Sequence, residues 1–409
     1  MEEMRSPCLP TEKRFGVDPD VLKLGFVSFL TDLSSEMIFS VFAVFFTTVA
    51  GASAALLGLV EGLADLSASS LNYLAGWLSD RTGKRKILVL AGYGFSTLAK
   101  TILLISSSIM GLGIFRVVER LGKSFRGPPR DAWLSAVALK ETRGYAFGIH
   151  KALDKSGAVL GPLAAYGLLS WLGDTASTYR ILFAIALVPA LAAVWVLTRI
   201  REKSVAPTQR ENMFETWQSL SPDFKRYLVA AGIFSLAYFS FSFLLLRAYS
   251  LGFSVKEIVL LYAMFNIVCV IAAPIIGQLA DRFGRARMIV AGYLLYLLMC
   301  VGFAYANTHA QIVALFAVFG VFYAIDEAQS KAFIADLELN RRGSAIGLYD
   351  FVTGIIYVPA SLIAGALWML RPSNAFLFAA ALAFVAAMMF SYQRLNKSRA
   401  SALNVPSSG

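Results

Sequence analysis

Seven ionisable residues lie between positions 116 and 131: Arg116, Glu119, Arg120, Lys123, Arg126, Arg130 and Asp131. At about 100° per residue they cover about 140° of one helical face. Val117, Val118, Leu121 and Phe125 take the other face. Five cations and two carboxylates in one stripe can do ion chemistry. Arginine forks match carboxylate and phosphate groups, so Arg116, Arg120, Lys123 and Arg126 are candidate contacts for an anion. A carboxylate between cations can take up and release a proton as its partner moves away. Further carboxylates come in pairs four apart, which share a helical face: Asp32 with Glu36, and Glu61 with Asp65. Residues 150–155 add His150, Lys151, Asp154 and Lys155. Asp32, Glu36, Glu61, Asp65, Glu119 and Asp154 are the candidate proton carriers, with Asp32 first. A salt-bridge network that only holds the helices together fits the same residues. No metal-ligand cluster and no nucleophile–base spacing is visible, so neither an enzyme nor a cofactor is expected.

The elements that must position these charges are membrane spans. Hydrophobic residues make up 57% of the 409 and charged residues 15%, against roughly 45–50% and about 25% in soluble domains. The apolar residues gather in twelve blocks, each long enough to cross about 30 Å of hydrocarbon as a helix. They run over 21–49, 54–77, 87–107, 109–139, 145–172 and 179–200, then 224–248, 255–280, 288–306, 311–337, 343–368 and 374–394. This excludes a soluble globular protein, a disordered chain and a disulfide scaffold. A membrane β-barrel would show short alternating strands instead. The expected fold is an all-α membrane protein of about twelve transmembrane helices. Charged residues inside such spans face a cavity or one another, so the stripe of span four should face a polar cavity. Pro128 and Pro129 should kink or break that helix.

Lys and Arg fall mostly in alternate links. One side holds Arg81, Lys84, Arg85, Lys86, Lys140, Arg143, Arg199, Arg201, Arg282, Arg285, Arg287, Arg341 and Arg342, together with both termini. By the positive-inside rule that side is cytoplasmic. The chain then divides into an N-terminal tail (1–20), a six-helix bundle (21–200), a cytoplasmic linker (201–223), a second bundle (224–394) and a C-terminal tail (395–409). The net charge of +11 belongs to this asymmetry, and no nucleic-acid partner is expected.

The halves repeat. Gly76-Trp77-Leu78-Ser79-Asp80-Arg81-Thr82-Gly83 returns 201 positions later as Gly277-Gln278-Leu279-Ala280-Asp281-Arg282-Phe283-Gly284. Arg143-Gly144 returns 199 positions later as Arg342-Gly343. Asn266 stands where Asp65 stands in the first half. The second half is poorer in charge; Asn266, Asp326 and Tyr349 are its candidate substrate contacts. Lys331 could pair with Asp326.

The GxxxDRxG loops with their basic endings resemble the signature loop of the major facilitator superfamily, and the resemblance covers the whole chain. It implies two pseudo-symmetric six-helix bundles that rock about a central cavity. Gly76, Asp80, Arg81, Gly83, Arg85, Asp281, Arg282 and Gly284 would then belong to the gate, with Asp80 tying the bundles together. Arg130 and Asp131 join them beyond the proline pair. Gly157-Ala158-Val159-Leu160-Gly161-Pro162 resembles the glycine–proline signature of proton-coupled drug exporters in that superfamily, without the second glycine pair; as a plain small-residue face it would serve helix packing. Thr31-Asp32-Leu33-Ser34-Ser35-Glu36-Met37 and the run from Gly122 to Ala132 resemble a bacterial branch of mostly unassigned transporters.

The expected function is secondary active transport across the bacterial inner membrane, coupled to protons. The substrate would be a small anionic or zwitterionic organic solute, of siderophore or metabolite class. Proton-coupled multidrug efflux is the alternative, and a non-transporting receptor or scaffold the remote one. The partners are the substrate, protons and the lipid bilayer, with the protein acting as a monomer.

Overall fold

A computed structural model describes residues 18–137, 143–202, 217–338 and 342–403. Regular structure among them is helical throughout. The first six spans are α1 (Pro19–Val44, prolonged by a π turn at Phe45–Val49), α2 (Ala54–Thr82), α3 (Arg85–Ile105), α4 (Ile109–Val137), α5 (Arg143–Leu172) and α6 (Ala176–Thr198). The second six are α7a and α7b (Pro222–Ala237 and Ser242–Ser250), α8 (Val255–Phe283), α9 (Arg285–Tyr305), α10 (His309–Leu337), α11 (Arg342–Leu370) and α12 (Pro372–Leu403). Ten of these twelve spans are long and apolar enough to cross a bilayer on composition alone. The other two, α4 and α5, are 29 and 30 residues long and carry the charges singled out above.

Local chemistry sets the helix ends. Asp18, Ser53, Thr175, Ser221, Ser254 and Thr308 each cap a helix by accepting a backbone N–H in its first turn. Gly83 ends α2 in the left-handed region, at φ 65°, where a side chain would be strained.

Three expectations need correction. Pro128 and Pro129 do not break α4, which runs unbroken from Ile109 to Val137. Span seven, expected as one helix, is interrupted at residues 238–241. Its Ser240 and the aromatic residues beside it form the joint. The C-terminal tail expected from residue 395 is a helical continuation of α12 as far as Leu403.

Within the first bundle, α1 packs on α5 and α6, and α4 on α2 and α3. In the second, α8 and α9 pack on α10, and α12 on α7a and α9. The largest contacts between the bundles are α2 with α11 and α5 with α8, and α1 also touches α7b and α8. The α2–α11 seam is closed by small residues. A β-carbon built on Gly58 would lie 2.3 Å from the Ser361 carbonyl oxygen, and one on Gly354 would lie 2.0 Å from Ser69. Near the end of the seam, Gly365 meets the backbone of Ala54 and Ala55 in the same way. Backbones this close need glycine.

The repeat is visible in single bonds. Arg85 Nη1 donates to the Ala132 carbonyl at 3.0 Å, and Arg285 Nη1 to the Ala332 carbonyl at 2.8 Å. Donor and acceptor both shift by 200 positions, so the duplication fixes the junction between spans three and four and its copy alike.

Candidate functional site

Glycines on α5 bring α1 into position. β-Carbons built on Gly157 and Gly161 would fall 2.4 Å from the Phe29 carbonyl oxygen and 2.7 Å from that of Leu33. The glycine–proline run is therefore a packing face. It presses against α1 beside Asp32 and Glu36, whose Cβ atoms lie 3.2 and 3.1 Å from the same points.

The stripe of α4 is largely paired within its own bundle. Arg116 donates through Nε and Nη2 to Glu61 at 3.0 and 2.7 Å. It also lies 4.0 Å from Glu119 and over the Phe39 ring at 4.3 Å. Arg120 donates to Asp65 at 3.1 Å. Arg126 is buried, donating to Ser96 at 2.6 Å over the Tyr93 ring. Arg130 meets Asp131 at 3.1 Å, Ser28 at 3.1 Å and Asp154 at 3.8 Å. The expectation of one cavity-facing stripe is thus corrected. Arg116, Glu119 and Arg126 are 6%, 0% and 3% exposed, because α2 and α3 cover that side of the helix. Lys123 is half-buried and has no hydrogen bond or ion pair among the described residues.

Lys100 on α3 is a functional candidate that the sequence analysis missed. Its side chain is fully buried and donates to Ser34 at 2.6 Å and Ser35 at 3.1 Å, and Ser35 donates to Glu119 at 3.3 Å. A lone lysine in the middle of an apolar span was the available signal. Glu327 on α10 lies 3.2 Å from Lys151 and 3.9 Å from Lys155. Among the described residues these are the ion pairs that join the two bundles.

The six candidate carboxylates separate into two groups. Glu61, Asp65, Glu119 and Asp154 each have a cation within 4.0 Å. Asp32 and Glu36, both 8% exposed, have no such ion pair among the described residues. Glu36 accepts a hydrogen bond from the Tyr262 hydroxyl on α8, across the bundle interface. Glu61 likewise accepts from Ser242 at 3.0 Å, at the first residue of α7b.

The second bundle supplies an aromatic wall. Tyr238, in the joint of span seven, packs on Tyr296, Tyr357 and Phe322. Tyr349 stacks on Tyr227 at 6.0 Å. Phe241, Tyr262, Phe265 and Tyr323 form a second group. Asp326 lies beside Tyr293 and Phe322, and Lys331 pairs with Asp350 at 3.7 Å rather than with Asp326. Asn266 is buried and donates to the Tyr262 carbonyl of its own helix, so its amide is committed there.

Exposure rises toward the end that carries the basic links. Asp131, Lys151, Glu327 and Lys331 are 40–55% exposed, while Glu36, Glu61 and Arg116 are nearly sealed. At the basic end the bundles are bridged by a solvent-accessible ion pair, Lys151 with Glu327. In the gate loops, Arg81 lies over Trp77 and Arg282 over Phe283, Gly76 is buried, Gly284 has φ 90° and Asp281 is exposed. Arg85 binds α4 and Glu202 of its own bundle, so it braces one bundle rather than joining two. The side chains of Asp80, Lys140 and Arg143 lie outside the described residues.

The sequence model of the Major Facilitator Superfamily matches residues 24–247 and 227–407. An uncharacterized MFS-type transporter of Methanocaldococcus jannaschii is 35% identical over 378 residues, covering 90% of this chain and 94% of that protein. Multidrug resistance protein 1 of Bacillus subtilis is 26% identical over 320 residues, covering 75% of this chain and 79% of that protein. In fold the chain is similar to the nucleoside transporter NupG, with a TM-score of 0.75 at 13% identity, over 91% of this chain and 99% of that one. Two six-helix bundles packed on each other are the architecture of alternating access. The chain is a secondary active transporter and belongs to the Major Facilitator Superfamily.

Proposed function

We propose that the protein exports small amphiphilic organic molecules in exchange for protons, from a cavity whose basic end is cytoplasmic. The observation that carries this reading is the pairing of α4. Arg116 and Arg120 are held by Glu61 and Asp65, so the basic stripe is not a free anion site. The facing wall is built from tyrosine and phenylalanine. Aromatic rings bind apolar and cationic bodies with loose shape demands. The likeness to a protein named for multidrug resistance supports the same reading.

Proton coupling is assigned to Asp32 and Glu36. A carboxylate deep in a span with no cation within ion-pair distance among the described residues is the one freest to take up and release a proton. Glu36 also touches the second bundle through Tyr262, which links its proton to the closing of the interface. Expected as a substrate contact, Lys123 retains that role through its lack of an ion pair, which favours one anionic group on the cargo. An organic-anion substrate of metabolite or siderophore class is the second reading for that reason.

The test is transport in proteoliposomes with an imposed pH gradient, using ethidium as a lipophilic cation and citrate as a hydrophilic anion. Ethidium movement driven by the gradient, with citrate inert, is the expected result. The opposite preference would overturn the export reading in favour of the anion one.

A further inference from the structure

We propose that a cleft at the basic end of the second bundle holds the phosphate headgroup of an anionic phospholipid. The cleft has a volume of about 470 Å³ and lies where α8 ends and α9 begins. Its charged lining is Arg282, Arg285, Arg287, Arg394, Asp281 and Asp336. Arg285 is committed to Asp336 at 2.7 Å and to the Ala332 carbonyl. Arg287 and Arg394 are exposed and make no ion pair among the described residues. Four cations against two carboxylates leave the lining positive.

The internal repeat shows what such a site takes. Two hundred positions earlier, the Arg85 backbone N–H donates to the Glu202 carboxylate at 2.6 Å. Lys86 reaches the carbonyls of Thr198 and Ile200 at 2.9 and 2.6 Å. An oxyanion from the chain itself thus fills the junction in the first bundle. In the second bundle, Ala286 replaces Lys86, and position 402, which matches Glu202, is alanine. Where α6 stops at Thr198, α12 runs on past Arg394. The second junction has no carboxylate matching Glu202; its own Asp336 takes up Arg285 and leaves Arg287 and Arg394 without an ion pair among the described residues.

Position identifies the source of the missing oxyanion. The cleft lies at the ends of spans, at headgroup depth. Phe283 and Tyr392 beside its arginines are 47% and 66% exposed, as aromatic residues at a membrane–water interface are. Arginine forks match a phosphodiester, and basic pockets between spans hold lipid headgroups. A soluble phosphate offers the same oxygens without acyl chains to lie along α8 and α12.

The experiment counts lipids on the purified protein by native mass spectrometry. Dioctanoyl phosphatidylglycerol, dioctanoyl phosphatidylcholine and inorganic phosphate are titrated separately from a neutral detergent. Phosphatidylglycerol is expected to bind in preference to phosphatidylcholine. Arg287→Gln combined with Arg394→Gln should weaken it about tenfold, from two lost surface charges. Both side chains are exposed, so the fold survives; Arg371→Gln, exposed at the opposite end, should change nothing. Equal binding of the two lipids, or an unchanged affinity in the double variant, would overturn the site. Inorganic phosphate binding as tightly as phosphatidylglycerol would overturn the lipid as its source.

Discussion

Arg116 and Glu61 meet through two parallel hydrogen bonds from α4 to α2, with both side chains withdrawn from solvent. A buried pair of this kind is costly to break from one side, because the partner is left charged and alone. Glu61→Gln should therefore lower stability by roughly 3 kcal/mol or more. Replacing both residues, Glu61→Leu with Arg116→Met, should cost less than the single change. Thermal unfolding in detergent of both variants beside the wild type checks this. A single variant as stable as the wild type would show that the pair contributes nothing to the bundle.

The two environments along α4 can be separated with a thiol probe. Lys123→Cys should react with a water-soluble maleimide, since Lys123 is half-buried and unpaired. Cysteines replacing Arg116 and Arg126, at sites 6% and 3% exposed, should react at least about tenfold more slowly, in line with their close packing. Equal labelling at all three positions would mean that the whole stripe is wet.

The α2–α11 seam tolerates no side chain at its narrowest points. Gly58→Ala places a methyl group against the Ser361 carbonyl, which costs roughly 1–3 kcal/mol if the backbones hold. Transport should fall several-fold while expression persists, because this seam joins the two bundles. Gly94→Ala is the comparison. Nothing lies within 4 Å of a β-carbon there, so that variant should transport normally. Uptake assays on the two variants side by side decide the matter.

Asp32→Asn should abolish accumulation driven by a pH gradient and leave exchange at equal pH largely intact. Counterflow and gradient-driven uptake are measured in the same vesicles. A parallel loss of both would make Asp32 a packing residue between α1 and α5 and move the proton elsewhere.

Much of the architecture was legible in the sequence because membrane spans announce themselves by length and composition. The repeat was legible because Asp-Arg-x-Gly recurs at nearly one offset, and the structure repeats even the Arg85–Ala132 bond. What the helical wheel could not give was the partner of each charge. Arg116 and Lys123 lie about 20° apart on the wheel, yet one is sealed against Glu61 and the other is half-buried without an ion pair among the described residues. The difference is set by which neighbour packs there, information that one helix does not contain. Lys100 escaped for the opposite reason, since a single lysine in an apolar run breaks no pattern. The break in span seven had no proline to mark it; Tyr238, Phe239, Ser240 and Phe241 read as ordinary span residues.

That break has a mechanical consequence. In sequence α7b belongs to the second bundle, but Ser242 bonds Glu61 and the short helix packs on α1. The same short helix is also tied to its own bundle, since Arg247 donates to the Phe303 and Ala306 carbonyls and Phe243 packs on Trp368, so α7b is held from both sides. If the bundles part at this end, α7b must give up one set of contacts: it bends the joint at residues 238–241, or it releases Glu61, which keeps both of its bonds to Arg116. The interruption is therefore where span seven can absorb such a movement without unwinding a longer helix.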